Sequence, residues 1–254
     1  MTTMTSRSAT THEVPTRGPA PDFPLYAGDP VRLSGRRWAV LMASVVVAAA
    51  CDLLVAVPGP AWLALALRGT LFAGIPLLTL HLVAPGTVGR LFQRLRPRAG
   101  LLAVGIAVAN VLASVLVGAL VSVLVGTRPN PLGGTIAAQG GLDKVLTFLA
   151  MIPQLVGEEV FTVLPLLAVL TLGMSVLRLS RRSSLVLAVV VSALLFAALH
   201  LPTYGWNVLQ CVLVIGTARV ILLIPYLVTK NLTASATAHV LNDWALFGSA
   251  AILG

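Results

Sequence analysis

The feature that most constrains this chain is a succession of long apolar runs with little polar sequence between them. Most of these runs approach or exceed the ~20 residues that a helix needs to cross the hydrocarbon core of a bilayer. Of the 254 residues, 57% are hydrophobic and only 10% are charged, whereas about a quarter are charged in typical soluble proteins. The sequence therefore predicts an all-α polytopic membrane protein, a bundle of about seven transmembrane helices. The predicted spans are 38–57, 61–83, 101–125, 142–177, 185–201, 208–228 and 232–253.

Residues 1–37 differ from the rest of the chain. They are rich in Thr, Pro, Arg and Gly and contain few large apolar side chains, a composition typical of disorder. They also lack the apolar core of a cleavable signal peptide. We therefore expect a disordered cytoplasmic tail at 1–37, followed by a transmembrane domain at 38–254.

The net charge of +9 follows a topological pattern. If the N-terminus is cytoplasmic and the spans alternate, the cytoplasmic segments hold 13 of the 17 basic residues and the external loops hold only Arg128. This is the positive-inside asymmetry of integral membrane proteins. The surplus charge is thus a signal of orientation, and nucleic-acid binding is not needed to explain it. The partner that the composition predicts is the lipid bilayer.

The segment 142–177 is too long for one simple span. A continuous helix of this length would measure about 54 Å, well beyond a core of about 30 Å. Pro153, Gly157 and Pro165 offer places to interrupt it. We expect an interfacial helix beginning near Asp143 and then a span that enters the membrane near Pro153, which puts the next residues near the external end of that span.

Two adjacent carboxylates, Glu158 and Glu159, lie within this segment in a run otherwise free of charge. A charged residue at the bilayer centre costs roughly 2.5–3.5 kcal/mol even on lenient scales, and neighbouring carboxylates repel each other unless a cation lies close. One interpretation is therefore a functional site. The alternative is a helix end at the interface, where carboxylates are tolerated.

Two histidines lie in later apolar runs. His200 ends one run, with Phe196 one helical turn before it, and His239 lies in a run of small residues. Asn242 and Asp243 follow His239 at i+3 and i+4, where either side chain can orient the imidazole. A single histidine is weak evidence, but three separate predicted helices each bring an acid or a histidine into the apolar domain.

The order Glu158-Glu159, then Phe196…His200, then His239…Asp243 resembles the CAAX-protease and bacteriocin-processing (CPBP, or Abi) family of intramembrane peptidases. The stretch 216–239 resembles the family between its last two motifs, and the whole resemblance covers 157–244. It implies that 38–254 is a transmembrane peptidase domain in a bacterial plasma membrane. It also implies an endopeptidase acting on membrane-associated substrates, such as CAAX-like C-termini or leader peptides.

The chain departs from the family at one position. The family's first motif is usually Glu-Glu-x-x-x-Arg, and Val163 occupies the place of that arginine. We expect Arg219, a charge in the middle of the predicted span 208–228, to neutralise Glu159 instead. The alternatives are that Arg219 extends to the interface or pairs with Asp52.

The resemblance and the residue types together suggest two mechanisms. In one, Glu158 acts as general base with help from His200. His239, supported by Asp243, and Asn242 then stabilise the oxyanion. In the other, His200, His239 and Glu158 bind a divalent metal such as zinc, and Glu159 acts as base. Both mechanisms, with and without a metal, remain open at this point.

Two other functions fit the same residues. The missing arginine and an aspartate at position 243 slightly favour a non-catalytic immunity or scaffold protein of the same fold. A small ion- or proton-coupled transporter is a less favoured alternative, because intramembrane carboxylates and histidines also form proton relays.

Overall fold

The computed structural model describes residues 22–253, and side chains up to residue 249. Over this range the chain forms α-helices, one π-helical turn and no strand, which confirms the all-α prediction. The elements are α1 (Gly35–Leu54), α2 (Ala61–Val83), α3 (Thr87–Leu91), α4 (Pro97–Val125), α5 (Pro131–Ala138), α6 (Gly141–Ser175), α7 (Arg181–Leu199), α8 (Val208–Gln210), the π-helical turn Cys211–Ile215, α9 (Gly216–Thr229) and α10 (Leu232–Leu253).

The helices agree with the predicted spans in number and position. In the described part of the chain, six helical segments are long and apolar enough to cross a membrane: α1, α2, α4, α6, α7 and the continuous stretch Val208–Thr229. Helix α10, with 22 residues, is the seventh long helix of the bundle. The chain is therefore an integral membrane protein.

Local sequence signals set the helix ends. The side chains of Ser34 and Ser180 accept hydrogen bonds from the backbone amides of Arg37 and Ser183 at the start of α1 and α7, as N-cap residues do. Pro97 occupies the first position of α4, where its missing N–H costs no hydrogen bond. Hydrophobicity thus sets the length of the spans, and caps set where they begin.

Helix α6 corrects the expectation of an interrupted segment. It runs without a break over 35 residues, with Pro153 and Pro165 inside it, so its length is about 52 Å. Each proline removes one backbone hydrogen bond, but α6 packs against α1, α2, α7 and α10, and burial by neighbouring helices allows prolines within a span. Glu158 therefore lies at the midpoint of α6, not near its external end.

Helices α2 and α6 approach each other closely at two glycines. A Cβ atom on Gly69 would lie 2.5 Å from the backbone nitrogen of Gln154, and one on Gly157 would lie 2.6 Å from the ring of Phe72. Small residues at helix crossings let membrane helices pack backbone to backbone. These two glycines fix the position of α2 beside the part of α6 that carries the paired glutamates.

The segment before α1 packs onto the bundle. Phe23, Leu25 and Leu33 are buried, and Asp22 forms an ion pair of 2.7 Å with Arg181 at the start of α7. The packed domain thus includes residues from 22 onwards that the sequence assigned to the tail, because a few large apolar side chains suffice to anchor them. The rest of the expected tail, 1–21, lies outside the described residues.

Candidate functional site

The two adjacent glutamates have different surroundings. Successive residues on a helix point about 100° apart, so Glu158 and Glu159 face different neighbours. The Glu159 side chain is 0% exposed and that of Glu158 is 12% exposed. Because both lie at the middle of α6, the alternative of a helix end at the interface does not apply.

Arg219 neutralises Glu159, as the sequence analysis expected. Arg219 Nη1, on α9, donates to Glu159 Oε1 at 2.6 Å, and both side chains are 0% exposed. The guanidinium also lies over the ring of Phe196, 5.1 Å from its centroid, a cation–π contact. Val163, the position of the family's arginine, is fully buried. The positive charge beside Glu159 thus comes from α9 and not from α6 itself.

His239 lies between the two glutamates. Its Nδ1 is 2.9 Å from Glu159 Oε1, and because an ionised carboxylate only accepts, we assign the hydrogen to Nδ1. Its Nε2 is 3.7 Å from both Glu158 Oε2 and Asp243 Oδ1, beyond hydrogen-bond distance. One ring nitrogen is thus fixed by the Glu159–Arg219 pair and the other is free for a ligand.

His200 follows the last residue of α7. Its Nδ1 is 2.9 Å from the carbonyl oxygen of Phe196, which accepts a hydrogen bond and so fixes the Nδ1–H tautomer in the neutral ring. The Phe196 ring lies 4.6 Å from the imidazole, and Tyr204 stacks at 6.4 Å. The aromatic contacts and the carbonyl hold the ring so that Nε2 remains available.

Asn242 and Asp243 form a small network with a residue that the sequence analysis missed. Asn110, fully buried on α4, donates to Asn242 Oδ1 at 2.9 Å, and Asn242 Nδ2 donates to Asp243 Oδ1 at 2.8 Å. Asn242 therefore orients Asp243 and commits one amide hydrogen to it. The sequence could have indicated Asn110 as a site residue, because it is an isolated amide in a very apolar span and a buried amide needs a hydrogen-bond partner.

A second set of contacts that the sequence did not predict links Glu158 to α1 through Gln154. Gln154 Nε2 is 3.2 Å from Asp52 Oδ2 and 3.5 Å from Glu158 Oε1. Gln154 precedes Glu158 by four residues and so shares its helix face, which was the signal in the sequence. Asp52 does not pair with Arg219; its backbone carbonyl instead accepts from Arg68.

These side chains surround one cavity of about 220 Å³. Five of the six predicted site residues line it, together with Arg219 and Gln154: Glu158, His200, His239, Asn242 and Asp243. Glu159 lies behind them. The sequence topology placed His239 near the cytoplasmic end of its span and Glu158 and His200 near the external ends, and the structure brings all three together.

A metal site was one of the two expected mechanisms. In the described residues, no three His, Cys, Asp or Glu side chains converge in a way that would hold a metal ion. Nδ1 of His239 bonds Glu159 and Nδ1 of His200 bonds a backbone carbonyl, so Nε2 is the one ring nitrogen that either histidine could offer to a metal. The arrangement does not fit a three-ligand site such as zinc needs, so we derive no step through a metal.

Comparison with known proteins gives one match. Residues 139–245 match the family described as type II CAAX prenyl endopeptidase Rce1-like, a range that contains all six predicted site residues. Neither a curated protein nor a solved structure matches the chain significantly. The family match implies a protease, and it confirms that this part of the chain resembles the CPBP intramembrane peptidases.

Proposed function

We propose that this protein is an intramembrane endopeptidase that hydrolyses peptide bonds with a water activated by Glu158. The observation that carries the proposal is the cavity beside the midpoint of α6, into which α6, the end of α7 and α10 bring Glu158, His200 and His239. An enclosed cavity with a few convergent polar groups is the usual form of an active site. The substrates are membrane-associated peptides, of the CAAX-like or leader-peptide kind.

Glu158 is the general base. Arg219 holds the charge of Glu159 at 2.6 Å, whereas the nearest cationic group to Glu158 in the described residues is the His239 ring, 3.7 Å away. Glu158 accepts one proton of the attacking water, and the free Nε2 of His200 accepts a hydrogen bond from the other. The water oxygen then attacks the scissile carbonyl carbon. In this division of labour, Glu159 is structural and Glu158 is reactive.

His239 stabilises the oxyanion. A protonated His239 donates Nδ1–H to Glu159 and leaves Nε2–H for the negative oxygen that forms on the carbonyl. Asp243, 3.7 Å from that nitrogen, favours the protonated ring. Asn242 keeps one amide hydrogen that is not committed to Asp243, which makes it a second candidate donor.

Collapse of the tetrahedral intermediate completes the reaction. The C–N bond breaks as Glu158, now protonated, transfers its proton to the leaving nitrogen, which departs as an amine. The carbonyl carbon becomes a carboxylic acid, and Glu158 returns to its ionised form. No group outside the chain, the water and the peptide is needed for this balance.

The proposal also includes an orientation. The distribution of basic residues supports a cytoplasmic N-terminus in a bacterial plasma membrane. Residues 38–254 then form the peptidase domain, with the segment 22–37 packed onto it, and Glu158 is roughly 26 Å along α6 from either helix end.

The test is a peptidase assay of the purified protein in lipid nanodiscs on a library of hydrophobic and CAAX-like peptides, with new termini mapped by mass spectrometry. We expect cleavage by the wild type and a loss of about 10²–10⁴-fold in Glu158→Gln. Asp143→Asn, at an exposed carboxylate in the first turn of α6, is the matched control and should retain activity.

Three outcomes would redirect the proposal. Loss of wild-type activity after exhaustive chelation, with recovery on adding zinc, would replace the metal-free mechanism by the metal-dependent one. Cleavage that is equal in wild type and Glu158→Gln would reject Glu158 as the general base, and no cleavage of any peptide would favour the non-catalytic immunity or scaffold protein.

A further inference from the structure

Gln154 has an acceptor that its surroundings leave unused. Its side-chain nitrogen has two hydrogens, and two carboxylate oxygens lie within reach, Asp52 Oδ2 at 3.2 Å and Glu158 Oε1 at 3.5 Å. Its carbonyl oxygen, Oε1, is buried and has no hydrogen-bond partner among residues 22–253. Gln154 also lines the cavity that contains Glu158 and His239.

The two carboxylates dictate which way the amide points. Turning the group over would set its carbonyl oxygen against two carboxylate oxygens, which repel it and have no hydrogen to donate when ionised. The NH₂ group therefore faces Asp52 and Glu158, and the carbonyl oxygen faces elsewhere. Asp52, on α1, acts here as a positioning residue, because it fixes the amide without touching a substrate.

A buried acceptor without a partner is unfavourable, and a ligand that brings a donor removes that cost. A peptide backbone offers one N–H per residue, except at proline. Because Gln154 is one turn from Glu158 on the same face of α6, the N–H that reaches it belongs to a residue close to the bond under attack.

We propose that Gln154 is a substrate-binding residue that accepts a backbone N–H of the peptide through Oε1, held in that orientation by Asp52. This inference rests on the proposed peptidase function and deepens it. This contact would make the enzyme select substrates by their backbone, because the peptide must carry an N–H at one fixed position beside the scissile bond. Proline and N-methyl residues are excluded at that position, whatever the neighbouring side chains.

The experiment compares one peptide with a set of its N-methyl derivatives. The parent is the peptide that the wild type cleaves fastest, or binds most tightly if none is cleaved, and each derivative has one backbone nitrogen methylated. For every derivative, kcat/KM and the binding affinity in nanodiscs are measured with the wild type, Gln154→Leu, Asp52→Leu and the control Asp143→Asn.

We expect one position at which N-methylation lowers kcat/KM and affinity of the wild type and of Asp143→Asn by roughly ten- to a hundredfold. Gln154→Leu should lose this discrimination, with the parent peptide and its methylated derivative becoming equal. Asp52→Leu should weaken the discrimination in the wild-type background and change nothing further when combined with Gln154→Leu. A merely structural role of Asp52 would lower activity on all peptides alike.

The outcomes separate this inference from the proposed function. Cleavage with the same N-methyl penalties in wild type and Gln154→Leu would reject the role of Gln154 but keep the peptidase. Suppose instead that no peptide is cleaved, but that N-methylation at one position weakens binding to the wild type and not to Gln154→Leu. This result would keep the role of Gln154 and reject the peptidase. Absence of both binding and cleavage would overturn both. If Gln154→Leu fails to fold, Gln154→Met replaces it, and a wild type indifferent to N-methylation at every position rejects the inference without any variant.

Discussion

Replacing Arg219 by leucine should be among the single changes that destabilise the protein most. The change leaves Glu159 buried in the helix bundle without its cation, since both side chains are 0% exposed and 2.6 Å apart. Breaking a buried pair from one side costs about 3–5 kcal/mol. The lost contact with the Phe196 ring, 5.1 Å away, adds about 0.5–2 kcal/mol. His239 still donates to Glu159 and offsets part of this, so we expect about 3 kcal/mol.

The assay is unfolding by SDS titration in mixed micelles, followed by tryptophan fluorescence. A double-mutant cycle with Glu159→Gln isolates the pair, and we expect a coupling energy of about 1–3 kcal/mol. The control is Arg182→Leu, an exposed arginine in the first turn of α7, which should change stability by no more than about 0.5 kcal/mol.

A relocation variant tests the interpretation more directly. Val163→Arg combined with Arg219→Leu moves the charge to the position four residues after Glu159, which shares its helix face. Part of the lost stability and activity should return. Strictly additive effects in the double-mutant cycle, with no recovery on relocation, would refute the idea that Arg219 replaces the missing arginine.

Three further predictions concern packing, pH and the amide network. Gly69→Ala should destabilise the protein by about 1–3 kcal/mol in the same titration, because the new Cβ would meet the Gln154 backbone at 2.5 Å, whereas Gly74→Ala on the same helix has open space and should be neutral. Burial tends to raise the pKa of Asp22, but hydrogen bonds from Tyr26 and Arg181 lower that pKa below its usual 3.8 overall. Asp22 therefore stabilises the docked segment fully above pH ~4 and progressively less as the pH falls further. At neutral pH, residues 22–34 should be cleaved faster by a protease in Asp22→Asn than in the wild type, and this difference should vanish at low pH. A difference that persists at low pH would contradict the prediction. Asn110→Ala should cost about 1–3 kcal/mol, because Asn242 Oδ1 loses its buried donor, and should lower peptide cleavage; unchanged stability and activity would exclude the network.

The fold was largely predictable because bilayer crossing imposes length and apolarity on each helix separately. Span 61–83 matches α2 at both ends and span 232–253 begins where α10 begins, since turns in the sequence mark these limits. Pro153 was misleading, because proline propensity is a local property and the continuity of α6 is decided by the helices around it. The packing of Phe23 and Leu25 was missed for the same reason, since their partners are distant in sequence.

The sequence predicts most of the residues that line the candidate cavity, but it does not predict their geometry. Glu158, His200 and His239 stand out because ionisable groups are costly in apolar runs. Their common depth depends on the tilt and overlap of three helices, which no single span encodes. Asn110 and Gln154 carry no charge, so only their contacts reveal that they belong to the site.

The pairing of Glu159 with Arg219 has a consequence for how the protein is made. The two residues are separated by 60 positions, and synthesis completes α6 well before α9. During that interval the membrane must accept a carboxylate whose cation has not yet been translated, at a cost of roughly 2.5–3.5 kcal/mol. Arrival of α9 removes that cost and holds both helices in place, which makes closure of the candidate site one of the last events in biogenesis.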